Sequence, residues 1–224
     1  MVPVGSAIGV LSMPKMYIIA GCNGAGKTTA SYTVLPEMFD CKEFVNADEI
    51  AKRLSPNKPE AAAIRASRIM LERIDELIEK GTDFGVETTL ATRTLLQVIE
   101  QAKGYGYVIM LIFFWLNVPD LAVERVRLRA ASGGHDVPEA TIRRRYVQGI
   151  INLSNRYIPV VDFWMILDNS DTPAAMIAEG GKDILTKIHN KNLYNLLMDY
   201  ERTGDAPGKK QPDGGDGAVV PKAS

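Results

Sequence analysis

The chain has 224 residues, of which 46% are hydrophobic and 24% are charged, a composition typical of one globular domain. Its 26 Lys and Arg residues nearly balance 27 Asp and Glu residues, and a net charge of −1 creates no overall field that would attract nucleic acid or an anionic membrane surface. Cys22 and Cys41 are its two cysteines, which excludes a disulfide framework and a cysteine-based metal site. We therefore expect a cytoplasmic protein that binds neither nucleic acid nor membrane.

The two ends of the chain differ in composition from its middle. Residues 1–12 are apolar and contain glycine but lack the basic region of a signal peptide, so we interpret them as a flexible N-terminal tail. Residues 203–224 are rich in Gly, Pro, Asp and Lys and poor in large apolar residues, which predicts a disordered C-terminal tail. We expect residues 13–202 to form the folded domain.

Within this domain, short β-rich runs alternate with longer helical ones, which predicts a parallel sheet with helices on both faces. Five strands are predicted, over residues 16–20, 43–46, 83–87, 108–116 and 163–168. The clearest helix is predicted for 59–80, where apolar residues recur every three or four positions until Gly81. Further helices are predicted from Gly26 onwards, over 93–103, 120–131 and 139–155, and from Pro173 towards Tyr200.

Residues 21–28 match the phosphate-loop pattern G-x-x-x-x-G-K-[ST], and they follow an apolar strand and open a helix. The loop glycines allow successive backbone N–H groups to turn inward, where they and the helix N-terminus bind phosphate. Lys27 is expected to bridge the β- and γ-phosphates of ATP, and the Thr28 hydroxyl to ligate Mg²⁺. The alternative is a glycine-rich turn followed by Lys-Thr by chance. The residues assigned to nucleotide binding are Gly21, Cys22, Asn23, Gly24, Ala25, Gly26, Lys27, Thr28 and Thr29.

The fold class that follows is α/β: a P-loop NTPase or kinase-like three-layer fold with a five-stranded, mainly parallel sheet. In such sheets, ligands bind outside the carboxyl ends of the strands. Asp48 and Glu87 lie at two of these ends, where either carboxylate could accept a proton from a substrate hydroxyl or hold a water on Mg²⁺. The alternatives are that Asp48 caps a helix, and that Glu87 pairs with Arg93 or is solvated.

Residues 124–146 contain a cluster of arginines and are interpreted as a helical lid with a hinge at Gly133-Gly134. Closing the lid would bring guanidinium groups to the triphosphate, with Arg129 and Arg144 as the catalytic candidates. Arg125 and Arg129 are four residues apart and share a helix face. A solvated basic face is the alternative, and His135 beside the hinge is expected to be structural. The arginines in the cluster are Arg125, Arg127, Arg129, Arg143, Arg144 and Arg145.

Asn169 and Ser170 follow the last predicted strand, at a place where P-loop kinases commonly hold the adenine base. Asn169 is therefore a candidate for nucleotide binding. A turn formed by Asn and Ser is the alternative.

Five segments together resemble the zeta-toxin family of P-loop kinases, more closely its compact chromosomal branch, over about residues 13–190: 21–28, 46–48, 87–90, 133–138 and 142–146. The resemblance implies that Lys27 and Thr28 bind ATP and Mg²⁺ and that Asp48 is the base facing a sugar hydroxyl. It also implies that the Glu87 carboxylate binds the substrate or lies beside the metal ion. Thr88 and Arg93 follow the same motif and are substrate-binding candidates.

Family members that act as toxins phosphorylate the 3′-hydroxyl of the amino sugar in UDP-N-acetylglucosamine, and an antitoxin protein is the implied partner. This chain has His135 where those toxins carry an arginine three residues before the proline, and Arg144 or Arg145 is the candidate to compensate. The function we predict is an ATP- and Mg²⁺-dependent kinase for a small hydroxyl-bearing substrate. A nucleotide-binding switch or an ATPase without an acceptor is the alternative, and phosphorylation of a polynucleotide ranks last because the sequence indicates no basic surface beyond the lid.

Overall fold

The computed structural model describes residues 13–134 and 136–204. The predicted N-terminal tail and His135 lie outside the described residues, as does the predicted C-terminal tail after Gly204. None of the helices in the described part of the chain is long and apolar enough to span a membrane.

A mixed sheet forms the centre of the fold, and within the described residues it has seven strands in the order β2-β3-β1-β4-β5-β6-β7. The first five in this order pair in parallel, whereas β6 and β7 are antiparallel. The strands are Lys15–Ala20 (β1), Glu43–Val45 (β2), Phe84–Thr88 (β3), Val108–Trp115 (β4), Phe163–Asp168 (β5), Ala175–Gly181 (β6) and Ile184–Ile188 (β7). The predicted α/β kinase-like fold is confirmed, with two strands more than predicted.

The helices are Lys27–Phe39 (α1), Ala47–Leu54 (α2), Ala63–Glu79 (α3), Thr94–Gly104 (α4), Pro119–Ala131 (α5), Glu139–Asn152 (α6) and Lys191–Thr203 (α7). Helices α1 to α6 connect the parallel strands, and α7 follows β7. A 3₁₀ turn precedes α3, and a π-helical turn follows α6. Residues 16–20 of β1 are all buried although their side chains alternate between the two faces, so both faces of the sheet are covered.

The helix predicted from Pro173 towards Tyr200 is wrong for most of its length. Residues 175–181 and 184–188 form an antiparallel hairpin, and a helix begins only at Lys191. The two strands lack a clear alternating pattern, because β7 is exposed along its whole length and β6 ends in two glycines. Gly180 is required by packing, since a Cβ there would lie 2.6 Å from Trp164 of β5.

Helix α6 is packed against the loop that follows β3. The Asn152 amide donates a hydrogen bond to the Leu90 carbonyl at 2.6 Å, and Gly149 lies so close that a Cβ would be 2.6 Å from the Thr89 carbonyl oxygen. At the same helix, the buried Tyr146 hydroxyl donates to the Leu116 carbonyl at 2.5 Å. These contacts hold the arginine-rich helix next to the carboxyl ends of β3 and β4.

Candidate functional site

The phosphate loop connects β1 to α1 at the carboxyl edge of the sheet, with β3 and β4 on either side of β1. Gly21 has φ of 145°, and a Cβ there would lie 2.2 Å from the Phe114 carbonyl oxygen of β4. Gly26 has φ of 83° and lies against the Asn169 side chain. Because L side chains rarely adopt these angles and no room exists for one, the loop conformation requires glycine at both positions.

Three polar side chains surround the carboxylate of Glu87 beside the loop. The Thr28 hydroxyl and the Asn46 amide both donate to Glu87 Oε2, at 2.9 Å and 2.8 Å. Lys27 Nζ lies 3.7 Å from Oε1 of the same carboxylate and donates to the Cys22 carbonyl at 2.9 Å. Glu87 is thus paired with Lys27 and Thr28, and Arg93 takes no part in this cluster.

The thiol of Cys22 is buried within the loop. Burial raises the pKa of this thiol to about 11, although the nearby Lys27 ammonium lowers it. The thiol is therefore neutral at ordinary pH and adds no negative charge to a loop that would bind an anion.

Asp48 projects from the first turn of α2. The side chain that caps this helix is Asn46, whose Oδ1 accepts from the Asp48 N–H at 2.8 Å and from the Glu49 N–H at 3.4 Å. The alternative that Asp48 is the helix cap is therefore wrong. Its carboxylate is left to line the cleft next to the phosphate loop.

The six arginines of residues 124–146 divide into three groups. Arg125, Arg129 and Arg145 line the cleft, and Arg145 also donates to the Asn23 amide oxygen at 3.3 Å. Arg143 pairs with Asp120 and Glu139 at the surface. Arg127 and Arg144 are exposed and do not line the cleft. The structure therefore brings Arg129 to the site as predicted from the sequence, together with Arg145 rather than Arg144.

Arg125 also links α5 to the end of β5. Its two terminal nitrogens donate to the Asn169 carbonyl at 2.9 Å and to the Ser170 carbonyl at 2.7 Å. The Asn169 side chain in turn donates to the Ala25 carbonyl of the phosphate loop at 2.8 Å. Asn169 thus holds the phosphate loop through a hydrogen bond to its backbone, a role that nothing local in the sequence indicated.

The cleft formed by these elements has a volume of about 430 Å³ and is open to solvent. Thr29 and Thr88 line it as well, as do Glu49 and Lys52 of α2, which the sequence did not single out. Arg93 is exposed and does not line it. One cleft therefore joins the phosphate loop, the carboxylates of Asp48, Glu49 and Glu87, and three guanidinium groups.

A mainly parallel sheet with a phosphate loop after β1, a carboxylate at the end of β3 and arginines of α5 and α6 beside the loop is typical of a P-loop phosphotransferase of the kinase-like type. The family model described as Zeta toxin matches residues 10–181, and the chain belongs to this family. The predicted membership is confirmed.

The chain is also similar to individual proteins. A protein of Haemophilus influenzae, itself uncharacterised, is 29% identical over 132 residues, which are 59% of this chain and 92% of the relative. The complex of AvrRxo1-ORF1 and AvrRxo1-ORF2 with ATP has a similar structure, with a TM-score of 0.64 and 18% identity over 83% of this chain. This chain covers 63% of the AvrRxo1 chain, less than two thirds of its length.

The PezAT chromosomal toxin–antitoxin system of Streptococcus pneumoniae gives a TM-score of 0.58 with 14% identity, over 85% of this chain and 87% of that chain. At such identities, the similarity to both solved structures shows the shared fold.

Proposed function

We propose that this protein is an ATP- and Mg²⁺-dependent kinase of the zeta-toxin type, which transfers the γ-phosphoryl group to a hydroxyl of a small molecule. The observation that supports it is the single cleft in which Lys27, Asp48 and three lid arginines face one another. A nucleotide switch needs no carboxylate directed at an acceptor.

The reaction assigns a separate task to each group. The acceptor oxygen forms a bond to the γ-phosphorus as the bond to the β–γ bridging oxygen breaks, and ADP leaves. Asp48 takes the proton of the hydroxyl. Lys27, with Arg129 and Arg145, neutralises the charge on the transferred group and on the leaving phosphate.

The proposed Mg²⁺ site uses Thr28 and Glu87. Their oxygens are already 2.9 Å apart, and Mg²⁺ prefers one or two carboxylates together with substrate phosphates and water. Among the described residues, no group of three or more His, Cys, Asp or Glu side chains could hold a metal ion. When bound, Mg²⁺ would offset the negative charge of the phosphates.

We propose a sugar nucleotide as the acceptor, because the chain carries the zeta-toxin motifs around Asp48 and Glu87. The first compound to test is UDP-N-acetylglucosamine. An antitoxin protein is the proposed partner, since one of the similar structures is a toxin–antitoxin system. Both proposals rest on family membership rather than on a contact in this chain.

The test is phosphoryl transfer by purified protein with ATP and Mg²⁺ against a panel of sugar nucleotides, nucleosides and aminoglycosides, with products identified by mass spectrometry. We expect a phosphorylated hydroxyl in at least one class, first of all the UDP-amino sugar. Nucleotide binding with ATP hydrolysis and no phosphorylated acceptor would favour the switch or ATPase instead.

The locations of Arg144 and Arg145 lead to a paired prediction. We expect Arg145→Gln to lower kcat by about 10²-fold, because it removes a charge that lines the cleft. Arg144→Gln changes the charge equally on the next residue, and its effect should stay within about twofold, since Arg144 is exposed outside the cleft. Steady-state kinetics of both variants test which arginine acts in the cleft. A larger loss of kcat for Arg144→Gln than for Arg145→Gln would assign that role to Arg144 instead.

A further inference from the structure

One face of α6 runs from the cleft to the chain that follows β3. Arg145, Gly149 and Asn152 are spaced four and three residues apart, so they share one side of the helix. Arg145 lines the cleft, whereas Gly149 and Asn152 do not. These two residues contact the backbone of Thr89 and Leu90 instead. A single helix face therefore connects an arginine of the cleft with the end of β3.

The backbone at Leu90 has an uncommon conformation. Leu90 is fully buried and has φ of 55°, in the left-handed region that bulky residues rarely adopt. Such a conformation persists only where the surrounding structure holds it. The Asn152 amide donates to the Leu90 carbonyl at 2.6 Å, and Asn152 is itself buried and accepts from the Gln148 amide at 3.1 Å. Helix α6 thus supplies the support that Leu90 needs.

Two further contacts fix the same segment of chain. A Cβ on Gly149 would lie 2.6 Å from the Thr89 carbonyl oxygen, so only glycine allows α6 to approach the backbone this closely. The buried Tyr157, in the π-helical turn that follows α6, donates from its hydroxyl to the Thr92 carbonyl at 2.9 Å. Residues 89–92 are therefore attached to α6 and its extension at three points.

We propose that Asn152 and Gly149 are positioning residues, which fix α6 to the end of β3 and so set the separation of the Arg145 guanidinium and the Glu87 carboxylate before ligands bind. The inference rests on the proposed function, in which Arg145 neutralises the transferred group and Glu87 holds Mg²⁺. Groups that act on the same phosphate must keep their spacing, since a displacement of about 1 Å can cost about 10²-fold in rate.

The first test pushes α6 away from the segment without weakening the helix. Gly149→Ala places a methyl group against the Thr89 carbonyl, whereas alanine within a helix is intrinsically more favourable than glycine. We expect kcat for ATP turnover to fall by about tenfold or more, while the affinity for ATP changes by less than about threefold. The matched control is Gly104→Ala at the end of α4, where a Cβ would have no neighbour within 4 Å, and it should keep the wild-type rate.

The second test removes the amide. Asn152→Leu has nearly the same shape but cannot donate to the Leu90 carbonyl, and we expect a similar loss of kcat. Its matched control is Tyr107→Phe, which removes a buried hydroxyl that donates to the Leu77 and Thr82 carbonyls near the opposite end of β3. That control should lose stability in urea without losing rate. If one of the two test variants does not fold, the other still decides the inference.

Two readouts distinguish positioning from a loss of overall stability. Hydrogen exchange of the unliganded protein over residues 88–92 should become faster in both test variants and stay unchanged in both controls. Asn152→Leu combined with Arg145→Gln should lose less than the product of the two single losses, because both changes act through the same guanidinium. Unchanged exchange, or losses that multiply in full, would overturn the inference.

ATP turnover is followed with and without an acceptor, which separates this inference from the proposed function. A wild-type protein that only hydrolyses ATP would reject the kinase, and a loss of that hydrolysis in both test variants would still support the positioning. Phosphorylation of an acceptor at equal rates by Gly149→Ala and Gly104→Ala would keep the kinase and reject the positioning. A wild-type protein without any ATP turnover would reject both.

Discussion

Replacement of Lys27 by Met is expected to lower phosphoryl transfer by about 10³-fold or more. Lys27 is 6% exposed, and its ammonium lies in the loop 3.7 Å from the Glu87 carboxylate. Methionine keeps the length and most of the volume of the side chain while removing the charge. Single-turnover transfer and the affinity for ATP, measured separately, would show whether chemistry or binding is lost.

Because Lys27→Met leaves Glu87 without its cation, folding must be checked alongside activity. A urea unfolding curve with an unchanged slope would show that the variant is folded. Lys80→Met, at the exposed end of α3, is the matched control and should retain full activity. If folded Lys27→Met kept a tenth of the wild-type rate, the assignment of this lysine to the transferred phosphate would be wrong.

Asp48→Asn is expected to reduce kcat by about 10²- to 10⁴-fold, because asparagine has the same shape but cannot accept the proton of the acceptor hydroxyl. The affinity for ATP should change by no more than about twofold, since the phosphate loop is untouched. The helix cap is also untouched, because it is formed by Asn46. Acceptor-dependent transfer and nucleotide binding are the two measurements.

Glu49→Gln is the matched control for the base. Glu49 is the next residue of α2, lines the same cleft and accepts a hydrogen bond from the Tyr32 hydroxyl. We expect this variant to lose less than about threefold in kcat. A larger loss in Glu49→Gln than in Asp48→Asn would move the role of general base to Glu49.

The phosphate loop, the parallel part of the sheet and the family could be predicted from the sequence, because each depends on a local pattern. The loop pattern couples glycines to a lysine and a hydroxyl within eight residues, and the strands of a buried parallel sheet are short apolar runs between helices. Asp48 and Glu87 could be placed at strand ends for the same reason.

The hairpin of β6 and β7 could not be predicted, because β6 is defined by its pairing with β5, and β7 by its pairing with β6, rather than by their own patterns. Propensity favoured a helix after Pro173, and tertiary pairing overrode it.

The amino-acid sequence by itself determined which groups are available: a phosphate-binding loop, two carboxylates at strand ends and a cluster of arginines. Only the tertiary structure decided which of them meet. It paired Glu87 with Lys27 and Thr28, made Asn46 rather than Asp48 the helix cap, and brought Arg145 instead of Arg144 to the cleft. The physical reason is that adjacent residues of a helix point about 100° apart. Once α6 is packed in the fold, Arg145 therefore faces the cleft and Arg144 faces solvent, whereas the amino-acid sequence does not distinguish the two arginines.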